Sequence, residues 1–121
     1  MLGVGIDLCD VKRFERLQGN EAFLQRVFSA DEIAYCKKRT KSAQSFAVRF
    51  AAKEAFGKAL GIGISGGVTL SEVEVRHNED NKPFLELYGE TKKIAERFGV
   101  TKIHVSLTHE TDVAAAVVIL E

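Results

Sequence analysis

The chain has 121 residues, of which 45% are hydrophobic and 28% charged, and its formal net charge is zero. That length suits one domain, residues 1–121, or a one-domain subunit of an oligomer. Neutral charge argues against a general nucleic-acid binder, and no run approaches the ~18 apolar residues that suggest a membrane span. The opening MLGVGIDLC lacks a basic segment and a long apolar run, so it is not a signal peptide. Cys9 and Cys36 form no CxxC pair. They read as buried thiols in a reducing compartment, so the expected location is cytoplasmic.

Leu2, Val4, Ile6 and Leu8 alternate with Gly3, Gly5, Asp7 and Cys9, which predicts a first strand with one aliphatic face. The other face carries two glycines, a carboxylate and a thiol. Asp10 can cap a short helix with Val11, Phe14 and Leu17 on one side, ended by Gly19. Asn20 opens a second helix with Phe23, Leu24, Val27 and Phe28 inward. Ser29 and Glu32 have capping-box spacing, so a third begins near Ala30. From Val11 to Lys41 the chain is about four charges positive, and the remainder balances it. A basic face of this kind can steer an acidic partner, or it is simply a solvated helical surface. Lys37–Arg39 and Lys41 are likewise open to phosphate binding or to solvent.

After a polar break at Thr40–Ser42, a long helix is predicted over about Ala43–Leu60. The glycine-rich 61–67 loop follows and fits no dinucleotide or Walker pattern. Val68–Arg76 reads as a strand whose apolar phase slips between Leu70 and Val73, which suggests a bulge. Asn78–Pro83 is turn chemistry, and Phe84–Tyr88 is a strand. Glu90–Phe98 is a helix ended by Gly99. Strands over Ile103–Thr108 and the apolar DVAAAVVIL, with a turn near Glu110–Thr111, complete the chain. The order predicts an α+β fold, a mainly antiparallel sheet packed on one long helix with short helices beside it.

Within that long helix, RFAAKEAFGKALG carries Arg49, Lys53, Glu54 and Lys58 among apolar residues. At ~100° per residue these charges spread over about half the circumference, with Phe50 and Gly57 between them. A helix without a clean polar face is a buried one, and its charges then need partners. Glu54 and Lys58 could pair at i, i+4, worth ~0.3–0.5 kcal/mol on a surface. Alternatively, Asp7 and Glu54 with nearby lysines would suit a hard divalent cation and phosphate, because Mg²⁺ accepts one or two carboxylates plus phosphate oxygens. Gly57, which costs roughly 1 kcal/mol against Ala, sits where it would clear space between Lys53, Glu54 and Lys58. Lys53 reads as catalytic or as the partner of a neighbouring carboxylate, with the supporting role favoured. His77 and His104 read as structural or surface groups, and Phe46 and Phe50 as core.

Four segments in this order, GIDLCDVKRF, FAVRFAAKEAFGKALGIGI, NKPFLEL and HVSLTHE, closely resemble the holo-acyl-carrier-protein synthase type of 4′-phosphopantetheinyl transferase, a family of bacterial fatty-acid synthesis. The resemblance spans essentially the whole chain. It implies transfer of the phosphopantetheine arm of coenzyme A to a serine of apo acyl carrier protein, with Mg²⁺, releasing adenosine 3′,5′-bisphosphate. It implies Asp7 and Glu54 as metal ligands, Lys58 on the pyrophosphate, and Asp7, Glu54 and Lys58 together as the catalytic set. Arg49, Gly61 and His109 would join Lys58 in binding the coenzyme, with Arg49 and His109 near the nucleotide and its 3′-phosphate. Arg13, with Arg16 and Arg26, would dock the acidic carrier. The resemblance also implies a homotrimer with each site between neighbouring subunits. The serine proton would go to Glu54 or to a water held by the metal; the sequence does not choose. Two positions depart from the family pattern: Glu110 follows His109 where a small hydroxyl residue is usual, and Asn81 replaces a turn glycine. Without the resemblance, the same residues also suit a metal-dependent nucleotide phosphohydrolase, or a non-catalytic module that binds an acidic protein.

Overall fold

A computed structural model describes residues 1–121, the side chain of Ile64 excepted. Strand β1 (Gly3–Asp10) leads into the short helices α1 (Val11–Leu17), α2 (Glu21–Val27) and α3 (Ala30–Lys37), and then the long helix α4 (Ser42–Leu60). Strands β2 (Val73–His77) and β3 (Pro83–Leu87), helix α5 (Gly89–Arg97), and strands β4 (Ile103–His109) and β5 (Val113–Leu120) follow. The fold is α+β, as predicted. The strands divide into two antiparallel sheets, one ordered β1-β5-β4 and the other β2-β3.

The three short helices start where their caps dictate. The side chains of Asp10 and Asn20 accept from the backbone N–H groups of Lys12 and Phe23. Ser29 and Glu32 close a full capping box. Phe14, Phe28 and Phe46 interlock at centroid separations of 5.1–6.4 Å and fasten these helices to the start of α4. The segment read as one strand from Val68 instead begins with a 3₁₀ turn at Leu70–Glu72, and β2 starts only at Val73. The phase slip that suggested a bulge marks this turn. Asn81 takes a left-handed φ of 60°, a conformation that asparagine adopts more readily than most non-glycine residues.

Helix α4 is buried for most of its length. Among the described residues from Phe46 to Leu60, only Phe50, Glu54 and Lys58 escape full burial, a single stripe at four-residue spacing. Lys53 is on the inner side and wholly buried. Its ammonium donates to Glu32 at 2.7 Å and to the carbonyls of Leu70 and Val73 at 3.0 and 2.5 Å. Glu32 also accepts the Val75 N–H. Burial pushes Lys53 below its ordinary pKa, and the Glu32 charge opposes that. Lys53 is therefore a structural tie between α3, α4 and β2, the supporting role expected of it.

Strand β1 lies directly on α4. A Cβ added at Gly3 would fall 2.0 Å from the Ala59 carbonyl oxygen, and one at Gly5 would fall 2.0 Å from that of Ala55. Ala51, Ala52, Ala55 and Ala59 keep the helix side low enough for this approach. The aliphatic face of β1 consequently points outward, with Val4, Ile6 and Leu8 57%, 64% and 68% exposed. Gly5→Ala is predicted to lower unfolding stability by about 3 kcal/mol or more, because the obstacle is backbone and cannot rotate aside. A urea titration showing a loss below about 1 kcal/mol would contradict this close packing.

Candidate active site

The close β1–α4 contact brings together residues 47 to 51 positions apart in sequence. Asp7 follows the two glycines on the same face of β1, and its Oδ1 accepts from Lys58 Nζ at 2.8 Å. Lys58 also donates to the Ile6 carbonyl at 3.1 Å. Glu54, one turn earlier on the open stripe of α4, is half-buried. Burial lifts its carboxyl above the ordinary value, as does the negative charge of Asp7, while Lys58 and Arg13 act against the shift. The hydrogen bond to Asp7 and its charge raise the Lys58 ammonium in turn. The i, i+4 ion pair between Glu54 and Lys58 is not the arrangement found: Lys58 bonds Asp7 across elements.

Gly61 ends α4 with a left-handed φ of 81°, and the chain folds back so that Gly63 N–H donates to the Gly57 carbonyl at 3.3 Å. A cleft of about 360 Å³ lies between Glu54, Lys58 and this turn, with Gly57, Gly61 and Gly63 in its wall. Gly57 does make room, although for the backbone of Gly63, 3.1 Å from where its Cβ would stand, and not for the neighbouring charges.

Arg49 and His109 are elsewhere. They line a second cleft of about 790 Å³ with Tyr35, Lys38, Arg39 and Lys41. The two clefts have no described lining residue in common. Five residues along a helix rotate a side chain by about 140°, so Arg49 and Glu54 face different ways. The second cleft is basic, and no carboxylate is among its described lining residues. Glu110 is exposed and outside this lining; its carbonyl accepts from Gln44 Nε2. His77, read as structural or surface, forms part of this wall, and Tyr35 had no signal of its own in the sequence. His104 pairs with Glu121 at the far end of β4.

Arg13, Arg16 and Arg26 are all exposed on α1 and α2. The Arg13 guanidinium sits 5.5 Å from the centroid of the Phe50 ring, on the stripe that carries Glu54. Cys9 and Cys36 are buried and free, and burial pushes the Cys9 thiol up to about 11. No helix among the described residues is long and apolar enough to cross a membrane.

Residues 3–118 match the family described as the 4′-phosphopantetheinyl transferase superfamily. A holo-[acyl-carrier-protein] synthase of Syntrophus aciditrophicus is 49% identical over 121 residues, covering 98% of this chain and 94% of the relative. One from Treponema denticola is 47% identical, covering 100% and 98%. The crystal structure of the Neisseria meningitidis holo-[acyl-carrier-protein] synthase superposes with a TM-score of 0.91 at 32% identity, covering 100% of this chain and 98% of that one. The Helicobacter pylori synthase, solved in complex with coenzyme A, gives 0.84 at 30% identity, covering 98% and 99%. The chain belongs to the 4′-phosphopantetheinyl transferase superfamily, in its holo-[acyl-carrier-protein] synthase branch, and is an enzyme.

Glu54 has its folded pKa above its unfolded one. The stability this confers is fully present below the ordinary value of 4.5 and is lost as pH rises through the raised value. At neutral pH the ionised side chain therefore destabilises the fold. Glu54→Gln is predicted to melt a few degrees above the parent at pH 7 without divalent cations, with the gap closing below pH 4.5. A lower melting temperature at pH 7 would refute the proposed strain at this site.

Proposed function

We propose that the enzyme transfers the 4′-phosphopantetheine group of coenzyme A to a serine of apo acyl carrier protein, releases adenosine 3′,5′-bisphosphate, and thereby activates the carrier for fatty-acid synthesis in the cytoplasm. Residues 1–121 act as one domain. The observation that carries this reading is that Lys58, which lines one cleft with Glu54, bonds Asp7 from a strand far away in sequence, while the Asp7 charge acts on Glu54. Relatives named for the synthase activity, and a neighbour holding coenzyme A, support the choice of substrates.

The donor set fits Mg²⁺. Burial raises the Glu54 pKa and the Asp7 charge adds to the shift, a repulsion that a divalent cation would relieve. Among the described residues no cluster of three or more His, Cys, Asp or Glu surrounds them. The remaining ligands would thus be phosphate oxygens and water, as this ion prefers. Asp7 and Glu54 would hold it, and when bound it supplies charge neutralisation on the pyrophosphate.

Lys58 does the corresponding work for the chain itself. Its exposed ammonium, on a flexible stem, reaches from Asp7 to the pyrophosphate oxygens and stabilises the charge that develops on the leaving phosphate. Glu54, on the open stripe of α4 beside Lys58, would accept the serine proton. Gly61 lets the turn approach the substrate with backbone alone. Arg49 and His109 bind the nucleotide and its 3′-phosphate in the basic cleft.

Because one chain keeps that basic cleft apart from the carboxylates, the complete site is proposed to form between neighbouring subunits of a homotrimer. The bare aliphatic face of β1 supports this, since exposed apolar patches mark interaction surfaces. Sedimentation should give three times the 13.3 kDa chain mass, and Ile6→Asp should yield monomers without transfer activity. A wild-type monomer that is fully active would overturn the shared site.

Incubation with coenzyme A, Mg²⁺ and apo carrier protein tests the reaction. The carrier should gain the mass of one phosphopantetheine, and Asp7→Asn or Glu54→Gln should reduce the rate by roughly 10²–10⁴-fold. Nucleotide breakdown without carrier modification would mean a phosphohydrolase, and binding without chemistry a docking module. Arg13→Glu should raise KM for the carrier about tenfold while leaving kcat within about twofold, and the effect should shrink with salt. An unchanged KM would remove Arg13 from the docking face.

A further inference from the structure

The basic cleft is organised around one aromatic ring. The guanidinium carbon of Arg49 sits 4.4 Å from the centroid of Tyr35, and that of Arg39 sits 5.3 Å from it. The His77 imidazole stacks on the same ring at 6.0 Å with 24° between planes. Two like charges held beside one ring repel each other; no described lining residue of the basic cleft is a carboxylate, and Asp31, Glu32 and Glu74 line the adjoining cleft that Tyr35, Arg49 and His77 also border. Within the basic cleft, the negative face of the tyrosine ring is what both guanidinium groups share.

The buried member of the pair is incompletely satisfied. Arg49 is only 4% exposed. Its Nη1 donates to the Ser45 carbonyl at 3.1 Å and to the Ser45 hydroxyl at 2.9 Å. Its Nε is buried with no hydrogen-bond partner among the described residues. Buried guanidinium N–H groups are ordinarily paired. A guanidinium held by its flat face keeps its N–H edge available for an anion. Burial, reinforced by the charges of Arg49 and Arg39, lowers the pKa of His77, so this neighbour adds little further repulsion at neutral pH.

We propose that Tyr35 is a positioning residue for substrate recognition: its ring holds Arg39 and Arg49 as a two-armed clamp for a phosphate monoester on the nucleotide, and so sets the preference for coenzyme A over the same molecule lacking its 3′-phosphate. This inference rests on the reading of the basic cleft as the nucleotide cleft. It assigns roles to Tyr35 and Arg39 beyond the one already given to Arg49.

Steady-state transfer with coenzyme A and with 3′-dephospho-coenzyme A tests it. Tyr35→Leu should raise KM for coenzyme A roughly five- to tenfold, with kcat nearly unchanged and KM for the dephospho analogue unmoved. Tyr35→Phe, which keeps the ring, should behave as wild type. A merely structural role would raise both KM values together. That outcome, an unchanged ratio, or a Phe variant as impaired as the Leu variant would overturn the proposal. Arg39→Gln, at an exposed position, should show the same selective loss, so an unchanged ratio there also counts against the clamp should Tyr35→Leu fold poorly. Calorimetry of the full chain with adenosine 3′,5′-bisphosphate and with AMP separates this inference from the functional reading. If no carrier is modified but the bisphosphate preference falls in Tyr35→Leu, the clamp stands and the transferase reading fails. If transfer proceeds and the preference survives in Tyr35→Leu, the clamp fails alone.

Discussion

Everything at the carboxylate site depends on how closely β1 lies against α4. Gly3 and Gly5 have no side chains, and the carbonyls of Ala59 and Ala55 occupy the space those side chains would need. This approach carries Asp7, two residues beyond Gly5 on the same face, to within hydrogen-bond distance of Lys58. It also forces the aliphatic side chains of β1 outward, where Val4, Ile6 and Leu8 are exposed. One steric fact therefore brings Asp7 to Lys58 and leaves an apolar sheet face exposed.

Rotation of α4 about its own axis has a separate cause. Lys53 is committed to Glu32 and two carbonyls on the inner side. A buried ammonium left without these partners would be strongly unfavourable, so the helix cannot turn without breaking them. With Lys53 held inward, Phe50, Glu54 and Lys58 come to the open side. The half-buried position of Glu54 beside Asp7 then raises its pKa at the expense of stability, a tension common where side chains are arranged for chemistry and not for the fold.

The charges are sorted by position. Carboxylates gather at the β1–α4 seam, while arginines and lysines line the larger cleft on another side of the same helix. No described lining residue is common to the two surfaces. The exposed arginines of α1 and α2 form a third surface, and Arg13 over Phe50 ties it to the stripe that carries Glu54.

Much of this was legible locally. Asp10, Asn20 and the Ser29–Glu32 pair announced their helices because capping is chemistry between near neighbours. The alternation of β1 and the all-round apolar character of α4 gave the strand and the buried helix, and their motifs gave the family and the candidate set Asp7, Glu54 and Lys58. The 3₁₀ turn at Leu70 was misread because a phase slip looks alike in a bulge and a turn. What the sequence by itself determined was the type of every α-helix and β-strand, though not of the 3₁₀ turn at Leu70–Glu72, and the residues able to do chemistry. Only the tertiary structure decided that the glycine face of β1 is the inner one, that Lys58 pairs with Asp7 and not with Glu54, that Gly57 admits the Gly63 backbone, and that Tyr35 gathers two arginines. Those outcomes depend on distances between segments remote along the chain, and periodicity carries no information about which remote backbone comes close enough to exclude a side chain.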